Sequence, residues 1–173
     1  CRDEAGLCRR WIRRLRDAFG REAYDDLPHV LTHGDYTPAN LIFDDRGEVA
    51  GVFDLDWARW APRVRDIADG MFFFSAKRRA PIAPGDIWSL TDAADFEVER
   101  CAAWLRAYSE SSPLSADEIA ALPLAFAARW LSIRAEGMAK VPPQERVRFC
   151  YRDTQVPLEW LDRYWPEVTK RLK

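Results

Sequence analysis

His33-Gly34-Asp35-Tyr36-Thr37-Pro38-Ala39-Asn40-Leu41-Ile42-Phe43, followed shortly by Val49-Ala50-Gly51-Val52-Phe53-Asp54-Leu55-Asp56, carries most of the information in this chain. Leu41–Phe43 and 49–53 are two short apolar runs, and Asp44-Asp45-Arg46-Gly47 between them has turn composition. The segment 41–54 is therefore expected to be a β-hairpin. A polar loop (35–40) enters it and a second polar loop (54–63) leaves it. A hairpin returns its two outer ends to one edge. Asp35 and Asn40 on the first loop and Asp54 at the end of the second strand are thus expected to converge.

Such a set suits phosphoryl transfer. One carboxylate must accept or orient an acceptor hydroxyl, and oxygen ligands must hold Mg²⁺ against nucleotide phosphates. Magnesium keeps several waters and needs only one or two protein carboxylates. An Asp, an Asn five residues later and an Asp after a hairpin follow the order of the catalytic loop and metal aspartate of protein kinases.

With Gly34 after His33, the pattern H-G-D-x-x-x-x-N resembles the aminoglycoside phosphotransferase and choline kinase family, which shares a protein-kinase-like fold. The resemblance implies that Asp35 is the catalytic base, Asn40 a Mg²⁺ ligand and Asp54 the principal Mg²⁺ ligand. His33 would shape the loop. Pro62-Arg63-Val64-Arg65-Asp66-Ile67-Ala68 resembles the family's D-[LI]-A element, whose aspartate braces the catalytic loop, although Asp66 also reads as a cap for a helix over 67–76. Asp54-Leu55-Asp56-Trp57-Ala58 resembles the homoserine-kinase-like branch. The family often has Gly where Asp56 stands, so Asp56 is a further candidate for metal or substrate contact; Asp54 holds the family's place at the strand end. Trp57 and Trp60 are candidates for a substrate wall, or for core.

Outward from the motif, the pattern is helical. Leu7, Trp11, Ile12, Leu15 and Phe19 form one apolar stripe over 3–19, with Gly20 as a stop signal. His29–Thr32 is short and β-like. The stretch 80–86 reads as a loop, and 92–109 as a helix. Ser115-Ala116-Asp117-Glu118 is a capping box. Pro123 is expected to interrupt the helix that follows, and Pro166 to kink or restart the last one, which begins at Pro157. The fold class is mainly α with a small β-hairpin, and residues 1–173 form a single domain. The resemblance equates it with the C-terminal, large lobe of a kinase-like fold.

The kinase N-lobe carries a glycine-rich loop and a strand lysine. Here the eight glycines form no such loop, and the first lysine, Lys77, follows the catalytic motif. The nucleotide lobe is therefore expected to be absent from this chain and to be its partner. Cys1 at the start agrees with a chain that begins inside a longer one. The expected co-substrate is ATP with Mg²⁺, and the acceptor a small molecule bearing a hydroxyl. The lobe alone is expected to be inactive.

A net charge of −2 provides no global basic field, so neither nucleic acid nor membrane is an expected partner. The four cysteines lack C-x-x-C spacing, and two histidines are too few for a histidine-rich metal site. Reduced thiols fit a cytoplasmic location. Two other functions compete. Asp54-x-Asp56 looks like the nucleophile motif of haloacid-dehalogenase-type phosphatases, but no βα alternation follows it. A non-catalytic kinase-like binding module is the other, against which all three chemical residues stand.

Overall fold

The computed structural model describes residues 2–78, 80–81, 83 and 85–172. Cys1 and part of the expected 80–86 loop (Ile82 and Pro84) lie outside them. The described chain is mainly helical, with three small antiparallel two-stranded sheets. Helices α1 (Arg2–Ala18) and α2 (Arg21–Asp25) precede strands β1 (His29–Thr32), β2 (Leu41–Phe43), β3 (Val49–Val52) and β4 (Arg59–Pro62). After α3 (Val64–Phe74) come β5 (Ala76–Lys77), α4 (Ile87–Leu90) and β6 (Asp95–Phe96). The remainder is α5 (Val98–Ser111), α6 (Ala116–Gly137), α7 (Arg146–Tyr151) and α8 (Gln155–Lys170). No described helix is long and apolar enough to cross a membrane.

The core lies between α3, α5, α6 and α8. Phe72, Phe96, Phe126, Trp130 and Trp160 form an aromatic cluster with ring centroids 4.8–6.5 Å apart. The buried indoles donate to backbone carbonyls, Trp130 to Thr154 and Trp160 to Phe96, both at 2.8 Å, so neither polar tip is stranded. On α1, Leu7 and Trp11 are buried as the stripe requires, but Ile12 is more than half exposed. Gly20 does not end α1 in the left-handed conformation; it precedes α2 with φ −64°.

Pro123 does not interrupt α6, and Pro166 does not break α8. A proline forfeits one ladder hydrogen bond and crowds the preceding turn. In α6 that cost is met by 22 residues of helix with Leu122, Leu124, Phe126 and Trp130 buried on either side. The capping box is complete: Ser115 Oγ accepts from Glu118 N, and Glu118 Oε2 from Ser115 N. The same carboxylate receives Arg63 from α3's entrance, Nε to Oε1 at 2.5 Å and Nη2 to Oε2 at 2.8 Å. These bonds hold the Glu118 carboxyl below its ordinary pKa. Arg63 is therefore a largely covered tie between α3 and α6.

The hairpin forms as expected: Leu41 pairs with Val52 and Ile42 with Gly51, with an irregularity before Phe43. A second sheet, β1 with β4, was not legible, nor was β5 with β6. Strands of two to four residues are too short to show alternation. The β1–β4 register places Thr32 opposite Arg59. The segment leaving β1 (33–40) and the segment entering β4 (53–58) therefore run side by side between the two sheets, and this decides the site.

Candidate active site

Contacts join the two segments at several points. His33 Nε2 lies 2.9 Å from Phe53 O, and His33 Nδ1 3.3 Å from Asp35 N. Nδ1 must accept from the amide, so Nε2 carries the proton and donates. Phe53 N donates to Asn40 O at 3.1 Å. Gly34 has φ +83°, and a Cβ there would stand 2.3 Å from the carbonyl oxygen of Trp57. Only glycine permits both the left-handed turn and the approach.

Asp66 lies inside the first turn of α3, where Arg63 is the N-cap, so it does not cap that helix. Its carboxylate instead accepts from His33 N and, at 2.9 Å, from Gly34 N. Two amides that turn away from any strand partner are thereby satisfied.

Asp35 and Asn40 meet directly. Asn40 Nδ2 donates to Asp35 O at 2.9 Å and Asp35 Oδ2 at 3.1 Å. With the amide nitrogen facing two oxygens, Asn40 Oδ1 points away from Asp35. Asp54 sits one residue past the Phe53–Asn40 backbone bond, exposed, with φ 61° and ψ 62°. Left-handed backbone at a non-glycine residue is a form of strain that clusters at functional sites. No described group bonds to its carboxylate. Asp56 lies in the following 3₁₀ turn, also exposed.

Sequence reasoning missed Arg129 and Asp69. Arg129 Nη2 on α6 donates to Asp35 Oδ1 at 2.8 Å, across 94 residues. Its Nε faces Asp69 Oδ1 on α3 at 3.0 Å, without hydrogen-bond alignment. Asp69 is fully buried. A signal existed: each is a lone charge in an apolar helical run, Ile67-Ala68-Asp69-Gly70-Met71 and Phe126-Ala127-Ala128-Arg129-Trp130. Buried charges are kept when paired.

Burial pushes the Asp69 carboxyl up from 3.8 to about 7, against the pull of Arg129 and with Asp66, Asp35 and Glu136 adding to the rise. A carboxyl with a higher pKa folded than unfolded stabilises the fold fully below the unfolded value. That contribution is lost as pH rises through about 7. Raising the pH from about 5 to about 8 is expected to weaken the wild type relative to Asp69→Asn by about 2–3 kcal/mol. Urea melts of both proteins at the two pH values check this; parallel shifts would place the titration elsewhere.

Asp35 opens onto a cavity of about 440 Å³ between the 33–40 loop, α4 and α6. Trp57 lines it and is 63% exposed; Trp60, on β4 and 71% exposed, does not. Neither is core, and Trp60 is not a wall of this cavity. It pairs with Leu31 on the outer face of the small sheet.

The residues fit a magnesium site by their chemistry. The Asp54 carboxylate and Asn40 Oδ1 are hard oxygen donors with no bonded partner among the described residues. Among the described residues no cluster of three or more His, Cys, Asp or Glu could hold a metal, and magnesium on a nucleotide does not need one.

Among curated proteins none matches this chain. Residues 2–114 match the model of the phosphotransferase enzyme family, APH, a span that includes His33, Asp35, Asn40, Asp54, Asp66 and Asp69 and stops short of α6. The chain, mainly α with small antiparallel sheets and the H-G-D-x-x-x-x-N loop bonded to its companion segment, belongs to the APH phosphotransferase family.

Proposed function

We propose that the chain is the large lobe of a kinase-like enzyme that transfers the γ-phosphoryl group of ATP to a hydroxyl of a small molecule. The observation that supports this most is the Asp35–Asn40 pair, bonded to the segment bearing Asp54 and opening onto the 440 Å³ cavity. Asp35 Oδ2 takes the acceptor hydroxyl proton as the phosphoryl group leaves ATP. Arg129 fixes the other carboxylate oxygen and so orients Asp35. Asn40 and Asp54 would hold Mg²⁺, whose charge offsets that on the phosphates. Asp66 and His33 keep the loop in place through the bonds described above.

The outer faces of the two front sheets support a missing nucleotide lobe. Leu31 and Trp60 on the β1–β4 sheet, Ile42, Phe43 and Val52 on the hairpin and Phe53 just after it are all exposed, an apolar surface of the kind that a partner domain covers. The second lobe would cover it, and this chain alone would turn over poorly. The phosphatase alternative finds no support, since every strand pair among the described residues is antiparallel.

The metal assignment is tested in the protein with its nucleotide lobe. Asp54→Ala is expected to weaken Mg²⁺-dependent ATP binding by roughly a hundredfold. Asp56→Ala is expected to change it by no more than about threefold, within the range of exposed substitutions. Titration calorimetry with and without Mg²⁺ measures both, and the reverse ranking would move the metal to Asp56.

A further inference from the structure

The cavity beside Asp35 carries cations in excess. Arg65, Arg78, Arg129 and Lys140 line it against Asp35 and Glu136. Arg129 is matched by Asp35 and Asp69. Among the described residues Arg65 meets only a backbone carbonyl, that of Gly34, at 3.3 Å. Glu136 accepts from Ser132 at 2.6 Å and bonds to none of the cations. Arg78 has no hydrogen bond or ion pair among the described residues, although it is half-buried. Burial lowers its pKa, and the acid that opposes this, Asp92, is already bound by Arg152 at 2.8 Å.

A half-buried guanidinium with no partner among the described residues keeps its donors free to meet an entering oxyanion. Apolar side chains, including Phe73, Ile87, Leu90 and Ile133, also line the cavity, which strengthens any charge pair formed inside. A cationic acceptor would leave Arg78 unpaired and be repelled by it.

From this we infer that the acceptor carries an oxyanion, a carboxylate or a phosphate, which Arg78 binds at the cavity wall while its hydroxyl lies at Asp35, with Lys140 at the rim. The inference rests on the proposed role of Asp35 and deepens it: the family match alone does not give the charge of the acceptor. Guanidinium is suited to either oxyanion, because its fork meets two oxygens at once.

The test uses four small probes: glycerate (hydroxy-carboxylate), glycerol 3-phosphate (hydroxy-phosphate), glycerol (neutral) and choline (cationic). Calorimetry on the protein is expected to show both anions, or one of them, binding at least tenfold tighter than glycerol or choline. The tighter anion identifies the group. Arg78→Gln is expected to remove most of that preference and Arg78→Lys to retain part of it, with circular dichroism unchanged. If Arg78→Gln does not fold, Lys140→Gln is expected to weaken anion binding by about threefold, as removal of a rim charge does. Equal binding of all four probes, tighter choline binding, or an anion preference that survives Arg78→Gln overturns the inference. Radiolabelled ATP with the same probes and the protein carrying its nucleotide lobe separates the two readings. Anion binding without transfer to any hydroxyl sinks the kinase reading and leaves the anion site. Transfer preferring glycerol or choline does the reverse.

Discussion

With Asp35 as the proposed base, Asp35→Ala in catalytically active protein is expected to lower kcat by about 10³-fold, a size typical of losing a positioned general base. The fold should survive. Asp35 is one-third exposed, and its partner Arg129 still faces Asp69 at 3.0 Å. A shift in Tm of only a few degrees is expected. Asp35→Asn is the stricter variant, since it keeps the shape while removing the proton acceptor; its single carbonyl oxygen can accept from Asn40 or from Arg129 but not from both. Steady-state kinetics with a saturating acceptor measure the effect. Retained turnover in both variants would exclude Asp35 as the base. A loss of turnover that tracked a loss of folded protein would make its role structural.

The second large effect is expected at a residue with no side chain. Gly34→Ala puts a methyl 2.3 Å from the Trp57 carbonyl oxygen and 2.9 Å from its carbon, at φ +83°. The left-handed conformation costs alanine about 1–2 kcal/mol, and relieving the clash a further 1–3 kcal/mol. The total, about 3 kcal/mol, would be accompanied by loss of most activity. To make room, the 33–40 loop must part from the 53–58 segment, and the bonds from His33 to Phe53 and from Phe53 to Asn40 run between them. Gly47→Ala is the control. It has φ +79° but nothing within 4 Å of the new methyl, so it should cost the conformational part alone and leave turnover intact. Denaturant melts and initial rates compare the pair. Equal effects at positions 34 and 47 would mean that the approach to Trp57 contributes nothing.

The front of the molecule was legible because its signals are local. A turn composition, two apolar runs and a capping box each lie within a few residues, and so do the bonds that they imply. The prolines misled for the same reason. Local chemistry disfavours Pro123 in a helix, and packing of the surrounding apolar residues overrode it. Trp57 and Trp60 are large and apolar, which favours burial, yet both lie out in solvent. Whether a short, two-faced strand buries its residues depends on what covers it, and that is not written in the strand.

What the amino-acid order alone determined is the chemical set: an acid and an amide five residues apart, a hairpin, and a second acid, all within 22 residues from His33 to Asp54. What only the tertiary structure decided is the setting of that set. Arg129 reaches Asp35 from α6, Asp66 ties the loop from α3, and Arg78 lines the cavity from beyond β5. A charged residue on a distant helix has the same local signature whether it ends in water or against a carboxylate. Its partner is chosen by how the helices pack, and that choice is made by the buried apolar faces, not by the charges themselves.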